Sequence, residues 1–142
     1  MKKNLFILAI SCFSILLTSC GGSESGSETA KEKEVVEATQ AADFIASYSA
    51  NQAEYDAKYL DKTITVSGPV AYAEALDGGC KVDIKGADDV QIISCNFEEG
   101  SLKESELPEE GASVTITGKC TGYIEEEMMG SKTINMVQCL IE

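Results

Sequence analysis

Two short stretches decide the fold: residues 63–68 read TITVSG, and residues 113–118 read SVTITG. In both, hydroxyl side chains alternate with branched apolar ones, which is the period-two pattern of a half-buried strand. Both stretches end on a glycine, Gly68 or Gly118. A glycine inside a strand permits the bulge or sharp coil by which one strand serves two sheets of a small barrel. The pattern predicts two long, curved β-strands.

Cysteines mark a hairpin between these two stretches. Cys80 and Cys95 lie at equal distances from the turn-like residues 86–89 (GADD). A two-residue loop there pairs Cys80 with Cys95 and Val82 with Ile93 across two antiparallel strands. It also places one set of alternating side chains on a single face: Cys80, Val82, Ile84, Ile93, Cys95 and Phe97.

The same symmetry predicts a second hairpin at the end of the chain. Cys120 and Cys139 have their midpoint between Met129 and Gly130, in a glycine-containing turn. This turn would place the two cysteines opposite each other on the last two strands. Met128 and Met129 would then lie at the hairpin tip, where exposed methionines form a small, adaptable contact spot.

A helical segment is predicted before the first strand, from Val35 to about Tyr59. Apolar residues recur there at three- and four-residue spacing, and Asn51 interrupts the run, so we expect two short helices or one kinked helix. Tyr48, Tyr55 and Tyr59 could line a pocket, but aromatic residues at helical spacing are more often part of a core.

The N-terminus has the features of an export signal. Lys2 and Lys3 precede an apolar run that is too short to span a bilayer and ends in residues 17–20 (LTSC). These four residues resemble the lipobox of bacterial lipoproteins, which implies cleavage after residue 19 and a lipid on Cys20. An ordinary secretory signal with a chance cysteine is the alternative.

Residues 20–34 contain small and charged side chains but nothing large and apolar, so we expect a flexible tether before the domain at residues 35–142. Acidic residues close behind Cys20 loosely resemble surface-export signals of Bacteroidetes lipoproteins. We therefore expect a lipid-anchored envelope protein in the outer membrane, on its periplasmic or its surface face.

Export provides the oxidising conditions in which disulfides persist, and we predict Cys80–Cys95 and Cys120–Cys139, each stabilising the fold by about 3 kcal/mol. A zinc site typically requires paired C-x-x-C spacing, and a catalytic thiol requires a histidine partner. The sequence has neither. Asp83, Asp88 and Asp89 could supply oxygens to calcium, but they lack the spacing of a calcium loop. We expect no metal and no cofactor.

The composition limits which classes of molecule the protein is expected to bind. The formal net charge is −13, and the chain contains no arginine, histidine or tryptophan, so nucleic acid is not expected as a partner. Collected together, the elements predict a mainly β fold: a five-stranded oligonucleotide/oligosaccharide-binding (OB) barrel preceded by one or two short α-helices. Residues 98–111 could hold one short helical turn between the third and fourth strands, as OB barrels do.

At this point the chain resembles the tRNA_anti-like OB domains of small bacterial lipoproteins, over about residues 38–141. The residues that carry the resemblance are Asn51, 57–59 (AKY), 62–70 (KTITVSGPV), 93–97 (ISCNF), 111–122 and 137–139 (VQC). The resemblance implies a fold and an envelope setting, and it brings no established activity. The basic and aromatic strand positions used by anticodon-binding barrels are missing here.

Three function classes follow from these observations. The first is a non-enzymatic binding module that holds a protein, peptide or glycan. A structural or assembly role comes second. A carboxylate-based enzyme comes third, because no pair of acids is set apart and a small barrel offers a shallow cleft.

Overall fold

The alternating stretches of the sequence form long strands in the computed structural model, which describes residues 36–142. The strands are β1 Val36–Gln40, β2 Thr63–Leu76, β3 Gly79–Lys85, β4 Gln91–Glu98, β5 Ser113–Glu126 and β6 Ser131–Ile141. The helices are α1 Ala41–Ala50 and α2 Gln52–Tyr59, and a single 3-10 turn spans Glu104–Glu106. The proposed signal peptide, Cys20 and the tether lie outside the described residues.

Five strands close into a barrel with OB topology, as the sequence predicted. β2, β3 and β4 pair antiparallel in succession, β4 pairs parallel with β6, and β6 pairs antiparallel with β5. β5 returns to pair antiparallel with the first half of β2, which closes the ring. β2 can serve two neighbours because its first half pairs with β5 and its second half with β3.

The glycines of the two opening stretches allow close approach. A Cβ atom on Gly68 would lie 2.7 Å from Cγ2 of Ile84, and one on Gly118 would lie 2.7 Å from Sγ of Cys139. Any larger residue would therefore push the barrel wall away from its neighbours at these two points.

The segment before the barrel corrects one prediction. Residues 36–40 form a strand, β1, which pairs parallel with residues 64–67 of β2, so the helical prediction from Val35 was wrong for this part. The edge of β2 offers backbone groups that need hydrogen-bond partners, and this demand overrides a weak local helical pattern. The predicted interruption at Asn51 is confirmed: this residue separates α1 from α2 with an extended φ of −151°.

The two helices close one end of the barrel, which we call the helix end. Ile45 of α1 packs against the end of β3: a Cβ atom added to Gly86 would lie 2.8 Å from Cδ1 of Ile45. Phe44 packs edge-on against Tyr48 and Tyr59, with ring centroids 5.7 and 5.1 Å apart, and Tyr48 stacks on Tyr123 of β5 at 5.4 Å. Tyr48 and Tyr59 are buried, which confirms that these aromatic residues belong to the core.

The connector between β4 and β5 lies at the opposite end, where the carbonyl of Leu102 contacts Cys80 at the start of β3. Its 3-10 turn is the short helical element predicted for residues 98–111. Leu102 and Leu107 flank the turn and pack, partly buried, against the core. Neither helix in the described part of the chain has the length and hydropathy that membrane crossing requires.

Candidate ligand-binding face

The outer face of the barrel carries a continuous row of polar side chains across four strands. Tyr72 of β2 is the register partner of Asp83 on β3, Asp83 is that of Ser94 on β4, and Ser94 is that of Asn135 on β6. The neighbouring row points inward and is apolar, because successive side chains of a strand face opposite sides. We call Tyr72, Asp83, Ser94 and Asn135 the polar row.

Asp83 lies at the floor of this row. Only 6% of the residue is exposed, and its Oδ2 lies 3.0 Å from Nζ of Lys81. Within residues 36–142, its Oδ1 is buried without a hydrogen-bond partner. An unsatisfied buried acceptor costs about 1–3 kcal/mol, so a group that donates a hydrogen bond to Oδ1 would recover part of that energy.

An apolar rim borders the polar row on the side of the last hairpin. Ile92 of β4 is the register partner of Thr133 on β6, which in turn pairs with Ile124 on β5. Ile124 is 54% exposed, and the hairpin continues beyond it to a tip where both methionines are exposed. We call Ile92, Ile124, Met128 and Met129 the apolar rim. The methionines are placed as predicted, at the tip of the β5–β6 turn.

A cleft of about 340 Å³ opens where β3 begins, at the end of the barrel opposite the helices. Gly79 shapes it: its φ is +157°, and a Cβ there would lie 2.1 Å from the carbonyl oxygen of Phe97. Nδ2 of Asn96 donates to the carbonyl of Met136 at 3.1 Å, which orients the amide on the cleft wall. The cleft is lined by residues 76–80, residues 96–98, Val137 and Gln138.

Comparison with known proteins agrees with this architecture. The family model named tRNA_anti-like matches residues 1–133. The chain belongs to the tRNA_anti-like family. The crystal structure of a proposed nucleic acid-binding lipoprotein from Klebsiella pneumoniae subsp. pneumoniae superposes with a TM-score of 0.54 at 16% identity, covering 75% of this chain and 91% of that one. At this identity the match supports the fold alone.

Two further similarities cover less of this chain. OBody AM3L09, in its complex with hen egg-white lysozyme, superposes with a TM-score of 0.43 at 16% identity, over 63% of this chain and 89% of that one. The arginine-binding extracellular protein ArtP of Bacillus subtilis is 30% identical over 94 residues, which are 66% of this chain and 33% of that protein. The chain thus spans about a third of this relative's length.

In the tRNA_anti-like barrel, few lysine side chains are free to bind an anionic ligand. Five of the seven lysines in residues 36–142 form ion pairs with carboxylates. On the outer face Lys81 pairs with Asp83, and Lys85 pairs with Asp89, which lowers the pKa of that carboxyl. Lys119 of β5 lies 2.7 Å from Asp61. The lysines next to the polar row are therefore already neutralised.

The three aspartates considered as calcium ligands each have a different partner in the structure. Asp83 pairs with Lys81, and Asp89 with Lys85. Asp88 accepts hydrogen bonds from the backbone nitrogen of Val90 at 3.2 Å and from Nε2 of Gln91 at 3.1 Å, so it shapes the β3–β4 loop. Across residues 36–142, no three potential metal ligands come together.

The cysteines confirm the predicted face but correct the predicted register. Cys80, Val82, Ile84, Ile93, Cys95 and Phe97 all face the core, as expected. However, Cys80 is the register partner of Phe97, and Cys95 is that of Val82, so the prediction that the two cysteines face each other was wrong. The loop spans five residues, 86–90, closed by a hydrogen bond from Gly86 N to Gln91 O of 2.7 Å, and this longer loop shifts the pairing by two residues.

The second hairpin is displaced in the opposite sense, toward the N-terminus. The turn is centred between Met128 and Met129, one residue before the predicted midpoint. Together with a register shift between Cys120 and Gly122, this makes Met136 the register partner of Cys120. The four cysteines within residues 36–142 are buried and present as free thiols. The disulfides Cys80–Cys95 and Cys120–Cys139 remain predictions. They were inferred from directly opposite positions on neighbouring strands, and the structure does not place the cysteines at such positions.

Two thiols have titration behaviour set by their surroundings. A hydrogen bond with Cys139, together with burial, raises the pKa of Cys95. Burial also raises the pKa of Cys120, although its contacts with the backbone of Gly122 and with the hydroxyl group of Tyr48 act in the opposite direction. Both thiols are therefore protonated at neutral pH and lack the thiolate character of a nucleophile.

Proposed function

We propose that this protein is a lipid-anchored lipoprotein of the cell envelope whose OB barrel is a non-enzymatic binding module. The observation that carries the proposal is the outer face, where a polar row with an unsatisfied carboxylate oxygen adjoins an apolar rim. A structural or assembly role is the alternative, and it would use the same face for a permanent contact.

The composition of the face favours a protein or peptide ligand over a glycan. Glycan sites usually present flat aromatic rings, and Tyr72 is the one exposed aromatic residue on the described part of the face. The apolar rim is aliphatic and includes two methionines, whose flexible side chains adapt to irregular protein surfaces. Asp83 Oδ1 would accept a hydrogen bond from a backbone or side-chain N–H group of the partner.

The lipid anchor is proposed from the N-terminal sequence. Lys2 and Lys3, the apolar run and the LTSC motif form a lipoprotein signal, and residues 20–34 provide a tether. The structural neighbour from Klebsiella pneumoniae is itself described as a lipoprotein, which is consistent with an envelope location for this chain. Within the envelope, we propose the outer membrane.

Nucleic acid ranks lower among possible ligands, although the same neighbour is described as a candidate nucleic acid-binding protein. Binding to nucleic acid gains much of its free energy from cations that displace counterions on phosphates. Here the net charge is −13, and Lys81 and Lys85 beside the polar row are paired with acids.

Enzymatic activity ranks lower for a similar reason. The chain has no histidine, and the four thiols of the barrel are buried. Catalysis would then rest on carboxylates, and Asp83, Asp88 and Asp89 on the outer face each contact a lysine or the backbone.

A capture experiment with a matched pair of variants tests the binding face. Ile124→Glu places a charge in the apolar rim, whereas Leu140→Glu places the same charge on β6 outside the rim; both positions are 54% exposed. The tagged full-length chain is cross-linked in cells, and captured envelope proteins are quantified by mass spectrometry. We expect Ile124→Glu to reduce capture of the main partner at least about tenfold, because binding would have to desolvate the new carboxylate. We expect Leu140→Glu to leave capture unchanged.

Equal loss of capture in both variants would contradict a specific role of the rim. Tight, salt-sensitive binding of single-stranded oligonucleotides in an anisotropy titration would replace the proposal with nucleic-acid binding. Intact mass measurement tests the anchor separately: a mature chain that begins at a residue other than Cys20, or that carries no acyl mass, contradicts lipidation.

A further inference from the structure

The interior of the barrel brings two cysteines together that are far apart in the sequence. Cys95 lies on β4 and Cys139 on β6, and these two strands are parallel neighbours. Both residues are fully buried, and the thiol of Cys139 is near enough to that of Cys95 to raise its pKa. Neither cysteine is paired with the other in the hairpin scheme that the sequence suggested.

A bulge in β6 creates this proximity. Met136 is the register partner of Cys95, and the next interior residue of β6 is Cys139 rather than residue 138, because Gln138 has a φ of +54° and faces outward. An extra residue in one strand moves all later side chains by one position relative to the neighbouring strand. Cys139 therefore returns to the interior on the side of Cys95, and its Sγ lies over Gly118, which has no side chain of its own.

The two remaining cysteines have other partners. The thiol of Cys80 donates to the carbonyl of Leu102 at 3.3 Å, at the cleft end of the barrel. Cys120 lies beside the hydroxyl group of Tyr48, near the helix end. These contacts leave Cys95 and Cys139 as the pair whose thiols meet in the described part of the chain.

We propose that Cys95 and Cys139 form a disulfide that ties β4 to β6, and that Cys80 and Cys120 remain thiols. In this oxidation the thiols of Cys95 and Cys139 each lose a proton, and together they give up two electrons. The electrons reduce a second disulfide, either that of an envelope thiol oxidase, which becomes a dithiol, or that of oxidised glutathione, which becomes two thiols. The proposal rests on export to an oxidising compartment, which is part of the proposed function.

Peptide mapping can identify the connectivity without any substitution. The chain has no arginine, and cleavage after lysine places each cysteine of the barrel on a different peptide. These peptides are residues 63–81, 86–103, 120–132 and 133–142. The full chain, exported with its own N-terminus and purified in detergent, is alkylated in denaturant without reductant and then digested.

We expect peptide 86–103 to be linked to peptide 133–142, and the peptides with Cys80 and Cys120 to be alkylated. Cys139→Ser should make Cys95 fully alkylatable, whereas Cys120→Ser should leave the linked pair intact; the wild-type map is decisive even if a variant fails to fold. A link between Cys80 and Cys95, a link between Cys120 and Cys139, or alkylation of all four cysteines would overturn the proposal.

A second arm separates this inference from the question of export. The same chain is reduced, denatured and refolded in a buffer of reduced and oxidised glutathione, and the linked pair should form there as well. Four alkylated cysteines in both arms, with an acyl mass on Cys20, would overturn the disulfide and leave the lipoprotein intact. A linked pair only in the glutathione arm, with no acyl mass on the exported chain, would count against the anchor and not against the pairing.

Discussion

The two ends of the barrel differ in how densely they are packed. At the helix end, Phe44, Tyr48, Tyr59 and Tyr123 are buried and in contact through their rings. At the cleft end, a turn with two glycines and the bulge at Gln138 surround an open volume of about 340 Å³. The difference indicates that the helix end supplies much of the stability, whereas the cleft end can change with little effect on it, apart from Gly79.

The largest expected effect comes from removing a ring at the helix end. Phe44→Ala should lower the free energy of unfolding by about 3–5 kcal/mol, because the lost ring leaves a cavity among the tyrosines. Leu76→Ala at the cleft end should cost about 1 kcal/mol or less, since Leu76 is exposed. Urea unfolding followed by circular dichroism measures both. Similar losses for the two variants would mean that the two ends contribute equally.

The exception at the cleft end is Gly79. Gly79→Ala should cost more than about 2 kcal/mol, because the added Cβ would collide with the backbone of Phe97. Gly78→Ala in the same turn should cost about 1 kcal/mol, since its φ of +97° strains alanine but nothing lies within 4 Å. The two midpoints in urea give the comparison; a Gly78 variant as unstable as the Gly79 variant would show that backbone strain, and not the collision, dominates.

A smaller effect should follow from removing one hydroxyl group at the helix end. Tyr48 donates to Oδ1 of Asp56 at 2.6 Å, so Tyr48→Phe should cost about 1–1.5 kcal/mol. Tyr72→Phe on the outer face is the matched control: its 3.3 Å hydrogen bond to Glu74 is exposed, and the change should cost less than about 0.5 kcal/mol. Thermal and urea unfolding should rank the two variants in this order, and a reversed ranking would contradict the contribution of the Tyr48–Asp56 bond.

The smallest effect is a difference in pH dependence. Burial, followed by the hydrogen bond to Asp56, raises the pKa of Tyr48 above its usual 10.0. Above pH 10 the unfolded chain releases this proton while the folded chain retains it, so the stability falls as pH rises. Tyr48→Phe should therefore lose less stability between pH 9 and 11 than the wild type, as measured by urea midpoints at each pH. Parallel curves would show that Tyr48 does not contribute to alkaline unfolding.

Much of the fold could be predicted because local patterns carried it. Alternation predicted β2, β5 and both hairpins, and the interruption at Asn51 separated two helices. β1 could not be predicted, because residues 36–40 become a strand only when the edge of β2 is there to pair with them. The outer face was also missed, because the polar row is contributed by four strands, each with one residue that looks unremarkable in the sequence.

The sequence by itself determined that Cys80 and Cys95 of the first hairpin share a face, whereas the burial of Cys139 required the bulge at Gln138; all four barrel cysteines are buried. Only the tertiary structure decided which of them meet. The physical reason is the two-residue period of a strand: a register shift of two, such as the one that places Val82 and not Cys80 opposite Cys95, leaves every side chain on the same face. Loop length and bulges choose between such registers, and those depend on how the whole barrel closes.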